Sequence, residues 1–231
     1  MKKVDFFIVG APKAGTTSLY HYLNENLEIE MSSQKEPDFF SYEALQNQKL
    51  YYAKNRINTI EKYHSLFKRE DNILRGEASV SYLFYKDVPN RIIEYNPNAK
   101  IIIMLRNPID RAFSHYLMDY RLGLISASFD SIIYKQSKVK NAHLFYQQYI
   151  QVSEYSNQIK RYLEVFSRKN IYFIDYDDFK NETSDIIKNI FLFLDLNSNF
   201  QPNLRKKYNT YTETKNMIIR YTYSFLPLRK L

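Results

Sequence analysis

The chain has 231 residues, 45% apolar and 25% charged, enough for a substantial buried core and inconsistent with disorder throughout. It has no cysteine, which excludes disulfides, a thiolate nucleophile and cysteine-ligated metal sites; its four histidines, His21, His64, His115 and His143, show no metal-ligand spacing. The formal net charge is +8, and +6 of it lies in residues 203–231, a basic aromatic tail that suits an anionic partner or serves solubility alone.

Strands and helices alternate along the chain, which predicts a parallel sheet covered by helices. Residues 4–9 form a short apolar run ending at Gly10, the pattern of a buried strand. The preceding Met1-Lys2-Lys3 superficially resembles the start of an export signal, but Asp5 and Pro12 break the apolar stretch. No run approaches the ~20 apolar residues of a membrane span. The chain is accordingly expected in the cytoplasm. A helix is predicted over 17–25, with Leu19, Tyr22 and Leu23 on one face. Further helices are predicted over 42–55 and 59–67, and a second strand over 73–77. Residues 101–105 are five unbroken apolar side chains, and Pro108 opens a helix reaching 122. A helix over 153–166, a strand over 171–174 and a helix over 183–194 complete the pattern; 195–210 is polar and irregular. Neither a repeat nor a low-complexity linker divides the chain, so a single domain over 1–231 is expected, with 203–231 as its tail.

Two of the chain's four glycines frame Gly10-Ala11-Pro12-Lys13-Ala14-Gly15-Thr16-Thr17. The loop follows a strand and opens a helix, the context in which backbone N–H groups and a helix N-terminus cradle an anion. The glycine spacing matches the nucleotide-triphosphate P-loop, G-x-x-x-x-G-K-[ST]. Thr16 takes the place of its lysine, and the lysine stands inside the loop as Lys13. The strand 101–105 ends in Arg106 rather than in an acid that would help hold Mg²⁺. This combination points to an anionic nucleotide held by cationic side chains.

The loop and the following Ser18-Leu19-Tyr20 resemble the 5′-phosphosulfate loop of sulfotransferases that use 3′-phosphoadenosine 5′-phosphosulfate (PAPS). The resemblance continues at Lys35-Glu36-Pro37-Asp38-Phe39-Phe40, at Gly76-Glu77-Ala78-Ser79-Val80-Ser81-Tyr82, and from Leu105 through Arg106, Asn107, Pro108 and Arg111 to Ser114, His115 and Tyr116. It is greatest toward the heparan-sulfate sulfotransferase branch and its bacterial relatives. It implies an α/β, P-loop-NTPase-like three-layer fold with a central parallel sheet flanked by helices.

The resemblance also implies roles. Lys13, Ala14, Gly15, Thr16, Thr17 and Ser18 would hold the 5′-phosphosulfate, with Lys13 meeting the charge that grows on the leaving oxygen. Arg106 and Ser114 would anchor the 3′-phosphate. Glu36 would be the general base that takes the acceptor's proton. Read alone, Glu36 serves equally as the partner of Lys35 in a surface ion pair, in a segment that Pro37 keeps extended. Arg106 and Ser114 alone read as a helix-start ion pair and a packed serine. Four departures stand out: Asp38 where the family often has His, Val80 where it has Pro, Ser153-Glu154-Tyr155 where relatives show Gly-x-Tyr, and no glycine over 204–209. The expected reaction is transfer of a sulfuryl group to a hydroxyl or amine of a glycan or small molecule, leaving adenosine 3′,5′-bisphosphate. It needs no metal and no nucleic acid. The alternatives are a P-loop kinase and a non-catalytic module that binds a nucleotide or polyanion.

Overall fold

The computed structural model describes residues 2–49, 57–69, 73–196 and 200–204. Among them the chain folds as two compact units, one formed by residues up to 106 and from 155 onward, the other by 107–154. The first unit begins with β1 (Phe6–Gly10), α1 (Thr16–Asn24), β2 (Ile29–Met31), α2 (Tyr42–Gln48), α3 (Ile60–His64), β3 (Leu74–Ala78), α4 (Val88–Tyr95) and β4 (Lys100–Leu105). The second unit contributes α5 (Pro108–Arg121), α6 (Phe129–Ile133) and α7 (Ala142–Tyr149). The chain then returns to the first unit with α8 (Tyr155–Val165), β5 (Ile171–Asp175), α9 (Tyr176–Asn181) and α10 (Thr183–Phe193).

The five strands form one sheet in the order β2-β3-β1-β4-β5, and every neighbouring pair is parallel. Parallel strands are covered on both faces, which is why β1 and β4 read as near-continuous apolar runs. All of β1 is buried, and so are Ile101 to Met104 of β4. Leu19 and Leu23 of α1, Ile92 of α4, Tyr162 of α8 and Ile187, Ile190 and Phe191 of α10 join the strands in one apolar core. From β1 the chain moves out to the edge at β2 and returns to β3 beside β1. It then crosses to β4 on the other side of β1. Open α/β sheets bind ligands beyond the carboxyl ends of their strands at such a reversal.

The four longer strands lie within two residues of their sequence-predicted places. The differences involve short elements. β2 has three residues, too few for a period. The helix expected over 42–55 stops at Gln48, where Lys49 takes a left-handed conformation (φ 52°); residues 50–56 lie outside the described residues. The helix expected over 59–67 contracts to α3. Ser153 ends a 3₁₀ turn, and α8 begins at Tyr155. Helices α4, α6, α7 and α9 have five to eight residues, about two turns at most, and display no apolar stripe long enough to read. Among the described residues no helix is long and apolar enough to cross a membrane. The tail beyond residue 204 lies outside the described residues.

Gly10 has φ +154°, and a Cβ there would lie 2.8 Å from Leu83 Cβ. Gly10→Ala is expected to lower the unfolding free energy by roughly 1–3 kcal/mol. A urea midpoint equal to the parent's would show that Leu83 yields without cost.

Candidate active site

The glycine loop leaves β1 and turns directly into α1. Its first residue is pinned to the neighbouring strand, since Ala11 N–H donates to Met104 O (2.6 Å). Lys13 (φ 68°) and Gly15 (φ 89°) both take left-handed conformations and reverse the chain into the helix. A Cβ on Gly15 would lie 3.3 Å from Tyr176 and 3.4 Å from Met104 and Phe179. The first intrahelical bond runs from Leu19 N–H to Gly15 O (3.2 Å). No side chain caps α1, and its first turn contains no acid. The positive end of the helix dipole is therefore not offset by a carboxylate of that turn. Ala14 and Thr16 are buried, whereas Lys13, Gly15, Thr17 and Ser18 are partly exposed.

Arg106 follows the last residue of β4. Its guanidinium donates to Lys13 O (3.2 Å) and lies 4.6 Å from the centroid of the Tyr176 ring. Its carbonyl accepts from Tyr155 Oη–H (3.1 Å). Stacking on a tyrosine holds the guanidinium plane while leaving its other edge for an anion. The structure thus brings two sequence-predicted residues, Lys13 and Arg106, to one place. Tyr176 was not singled out in the sequence, although its position just after a strand puts it at the ligand-binding edge of the sheet.

Ser114 lies half-buried on α5, in the second unit and eight residues beyond Arg106 along the chain. This helix starts as predicted, with Pro108 in its first turn. Asn107 caps it by accepting from Ile109 N–H (3.0 Å) and Asp110 N–H (3.3 Å). Arg111 is fully buried in the same unit and donates to Gln148 O (2.5 Å), Tyr149 O (2.8 Å) and Ser153 Oγ (2.6 Å).

Glu36 lies beside the end of β3, where its N–H donates to Ala78 O (2.9 Å). The extended conformation expected there is replaced by a left-handed one, φ 58° at Glu36 and 53° at Asp38. Pro37 disfavours the right-handed helix for Glu36; the bonds to Ala78 and, through Asp38 N–H, to Ser79 Oγ (2.9 Å) favour the left-handed alternative. The ion pair with Lys35 forms, yet the Glu36 side chain is still 43% exposed. Asp38 accepts from Ser81 Oγ–H (2.6 Å) and so helps to hold its own loop.

Beneath this loop Glu77 is fully buried. Its carboxyl accepts from Tyr63 Oη–H (2.8 Å) and Tyr82 Oη–H (3.1 Å) and is bonded to Ser79 Oγ. Burial pushes it up to about 8, against these hydrogen bonds and with a small further push from Asp38. The other ionisable groups coupled to it are Tyr63, Tyr82, Tyr95 and Tyr162, all pushed above the ordinary tyrosine value by burial.

A family model described as a sulfotransferase domain matches residues 3–222, a span that runs through both units. The chain belongs to the sulfotransferase family. A crystal structure of a sulfotransferase from Alicyclobacillus acidocaldarius is similar, with TM-score 0.77 and 32% identity, covering 90% of this chain and 87% of that one. The bifunctional heparan sulfate N-deacetylase/N-sulfotransferase 1 of Caenorhabditis briggsae is 27% identical over 206 residues, 83% of this chain and 22% of the relative. Human carbohydrate sulfotransferase 15 is 28% identical over 148 residues, 48% of this chain and 26% of the relative. This chain spans about a quarter of the length of each of these two curated relatives. A mouse sulfotransferase complexed with PAP shares the fold at TM-score 0.52 and 19% identity.

Within this sulfotransferase domain Glu77 makes stability depend on pH. The unfolded chain releases the Glu77 proton near 4.5, whereas the folded protein retains it to about 8. The folded state binds the extra proton between these values, so stability falls as pH rises through the window. Melting temperatures of the parent and Glu77→Gln, measured across it, should show a steeper decline in the parent. Parallel curves would show that Glu77 does not hold the proton.

Proposed function

We propose that the chain transfers a sulfuryl group from PAPS to a hydroxyl or amine of an acceptor, as a single sulfotransferase domain. The observation that carries this reading is the meeting of Lys13 and Arg106 beside the uncapped start of α1. The Arg106 guanidinium held on the Lys13 carbonyl, the lysine carried by the same loop and a helix N-terminus fit a donor that bears two separate anionic groups. The loop from Lys13 through Ala14 and Gly15, together with Thr16, Thr17 and Ser18, cradles the 5′-phosphosulfate. Arg106 takes the 3′-phosphate; the same role for Ser114 rests on its place in the motif.

In the step, the acceptor oxygen or nitrogen forms a bond to sulfur as the bond from sulfur to the bridging oxygen of the 5′-phosphate breaks. The electron pair stays on that oxygen, where Lys13 meets the growing charge. The acceptor's proton passes to the Glu36 carboxylate. Adenosine 3′,5′-bisphosphate is left. The fixed charges of Lys13 and Arg106 take the part that Mg²⁺ plays in kinases, so the step is drawn without a metal. The names of the relatives favour a glycan acceptor, and the net charge of +8 suits one that is already anionic. Family membership favours this reading over the kinase and the non-catalytic module.

Calorimetric titration with adenosine 3′,5′-bisphosphate, against AMP and Mg·ATP, tests the donor site. Binding should require the 3′-phosphate and weaken about 10–100-fold in Arg106→Ala; a preference for Mg·ATP overturns the assignment. With labelled PAPS and a panel of glycans and small alcohols, Lys13→Ala and Glu36→Gln should each lower kcat by about 10²–10⁴-fold in folded protein. Unchanged turnover in either variant removes that residue's role.

A further inference from the structure

The reaction drawn above uses no step on Glu77, yet this acid stands under the segment that carries Glu36. Two of the hydroxyls bonded to it pass the connection on. Ser79 Oγ accepts from Asp38 N–H (2.9 Å), and Tyr82 Oη accepts from Phe40 N–H (3.2 Å). A hydroxyl has one proton and two lone pairs. With the Tyr82 proton turned toward one oxygen of the Glu77 carboxyl, and Ser79 Oγ bonded to the other through the acid's own proton, each hydroxyl oxygen keeps a lone pair for a backbone N–H of the segment. The carboxyl therefore sets the direction of both contacts without touching the segment itself. Around them, Glu36 N–H is bonded to Ala78 O (2.9 Å), Ser81 Oγ–H donates to Asp38 Oδ1 (2.6 Å), and Ser41 Oγ meets Ser81 Oγ (2.8 Å).

The held segment is strained. Glu36 and Asp38, neither of them glycine, stand at φ 58° and 53°. Such conformations persist where the surroundings over-determine them, and they cluster where chemistry is done. An apolar side chain at 77 would satisfy the core and leave the hydroxyls of Tyr63, Tyr82 and Ser79 to turn freely. A buried carboxyl, costly to keep, is explained by the orientation it imposes.

We infer that Glu77 is a positioning residue, which acts through Ser79 and Tyr82 to hold Glu36 in the conformation that serves the acceptor. The kinetic part of this inference rests on the proposed role of Glu36 as base; the structural part does not. Glu77→Gln keeps the pattern, because its carbonyl accepts from the tyrosines while its amide donates to Ser79 Oγ. It is expected to keep kcat close to the parent's at pH 7. Glu77→Leu breaks the pattern and is expected to lower kcat by about a hundredfold with the Kd for adenosine 3′,5′-bisphosphate unchanged.

Ser79→Ala and Tyr82→Phe decide the matter if Glu77→Leu does not fold. Each should lower kcat by about tenfold, the loss of one hydrogen bond, and leave the donor Kd alone. Amide hydrogen exchange gives a readout free of catalysis: exchange at Asp38 and Phe40 should quicken in both variants, while that of Leu19 in α1 stays as in the parent. Unchanged exchange at Asp38 and Phe40 overturns the positioning role. Faster exchange with unchanged kcat overturns its link to the reaction. A failure of Glu36 as base shows separately, as an unaltered kcat in Glu36→Gln.

Discussion

The bond from Ala11 N–H to Met104 O is the join on which the candidate site depends. It fastens the glycine loop to the end of the adjacent strand, at the place where the sheet changes direction. With Ala11 held there, the left-handed turns at Lys13 and Gly15 deliver the chain into α1. Arg106 stands two residues beyond Met104 and reaches the Lys13 carbonyl from the same strand end. Both partners of the join are backbone groups, so side chains around it are free to specialise. Its cost is borne by glycine, because Leu83 and Tyr176 crowd the two positions where a Cβ is missing.

The candidate residues at this edge of the sheet are sorted by strand. Lys13 follows β1 and Arg106 follows β4, while Glu36, Asp38 and Glu77 gather at the end of β3. A transfer from an anionic donor to an acceptor that must lose a proton calls for cations on one side and a base on the other. The strand order supplies that separation, because β1 has β3 on one flank and β4 on the other. The acids differ among themselves through burial. Glu36 reaches solvent beside Lys35, whereas Glu77 is sealed among tyrosines and keeps its proton toward 8.

How far the sequence discloses this depends on the range of each interaction. β1 and β4 are legible because central parallel strands are apolar on both faces; β2 escapes because it buries only Ile29 and Met31. The glycine loop is legible because its conformation is local and its spacing is rigid. The shape of the Glu36 segment is not: Pro37 disfavours one conformation, and the choice among the rest is weighted by Ala78 and Ser79, more than 40 residues along the chain. The stacking of Tyr176 on Arg106 and the bond from Tyr63 to Glu77 are likewise meetings of distant residues with no local pattern. Glu77 itself is visible at a strand end, but its retained proton follows from burial that neighbouring residues do not announce.

The bond from Tyr155 Oη–H to the Arg106 carbonyl links the two points at which the chain departs from the sheet unit and rejoins it. Everything between them, residues 107–154, is an insertion whose ends are already tied. Closing such a loop costs little more when it is long than when it is short. The intervening stretch can therefore be lengthened, trimmed or exchanged over evolutionary time with little strain on the sheet. A lineage could remodel much of that stretch while Lys13, Arg106 and Glu36 stay where the strands put them, provided the first turns of α5 keep Ser114.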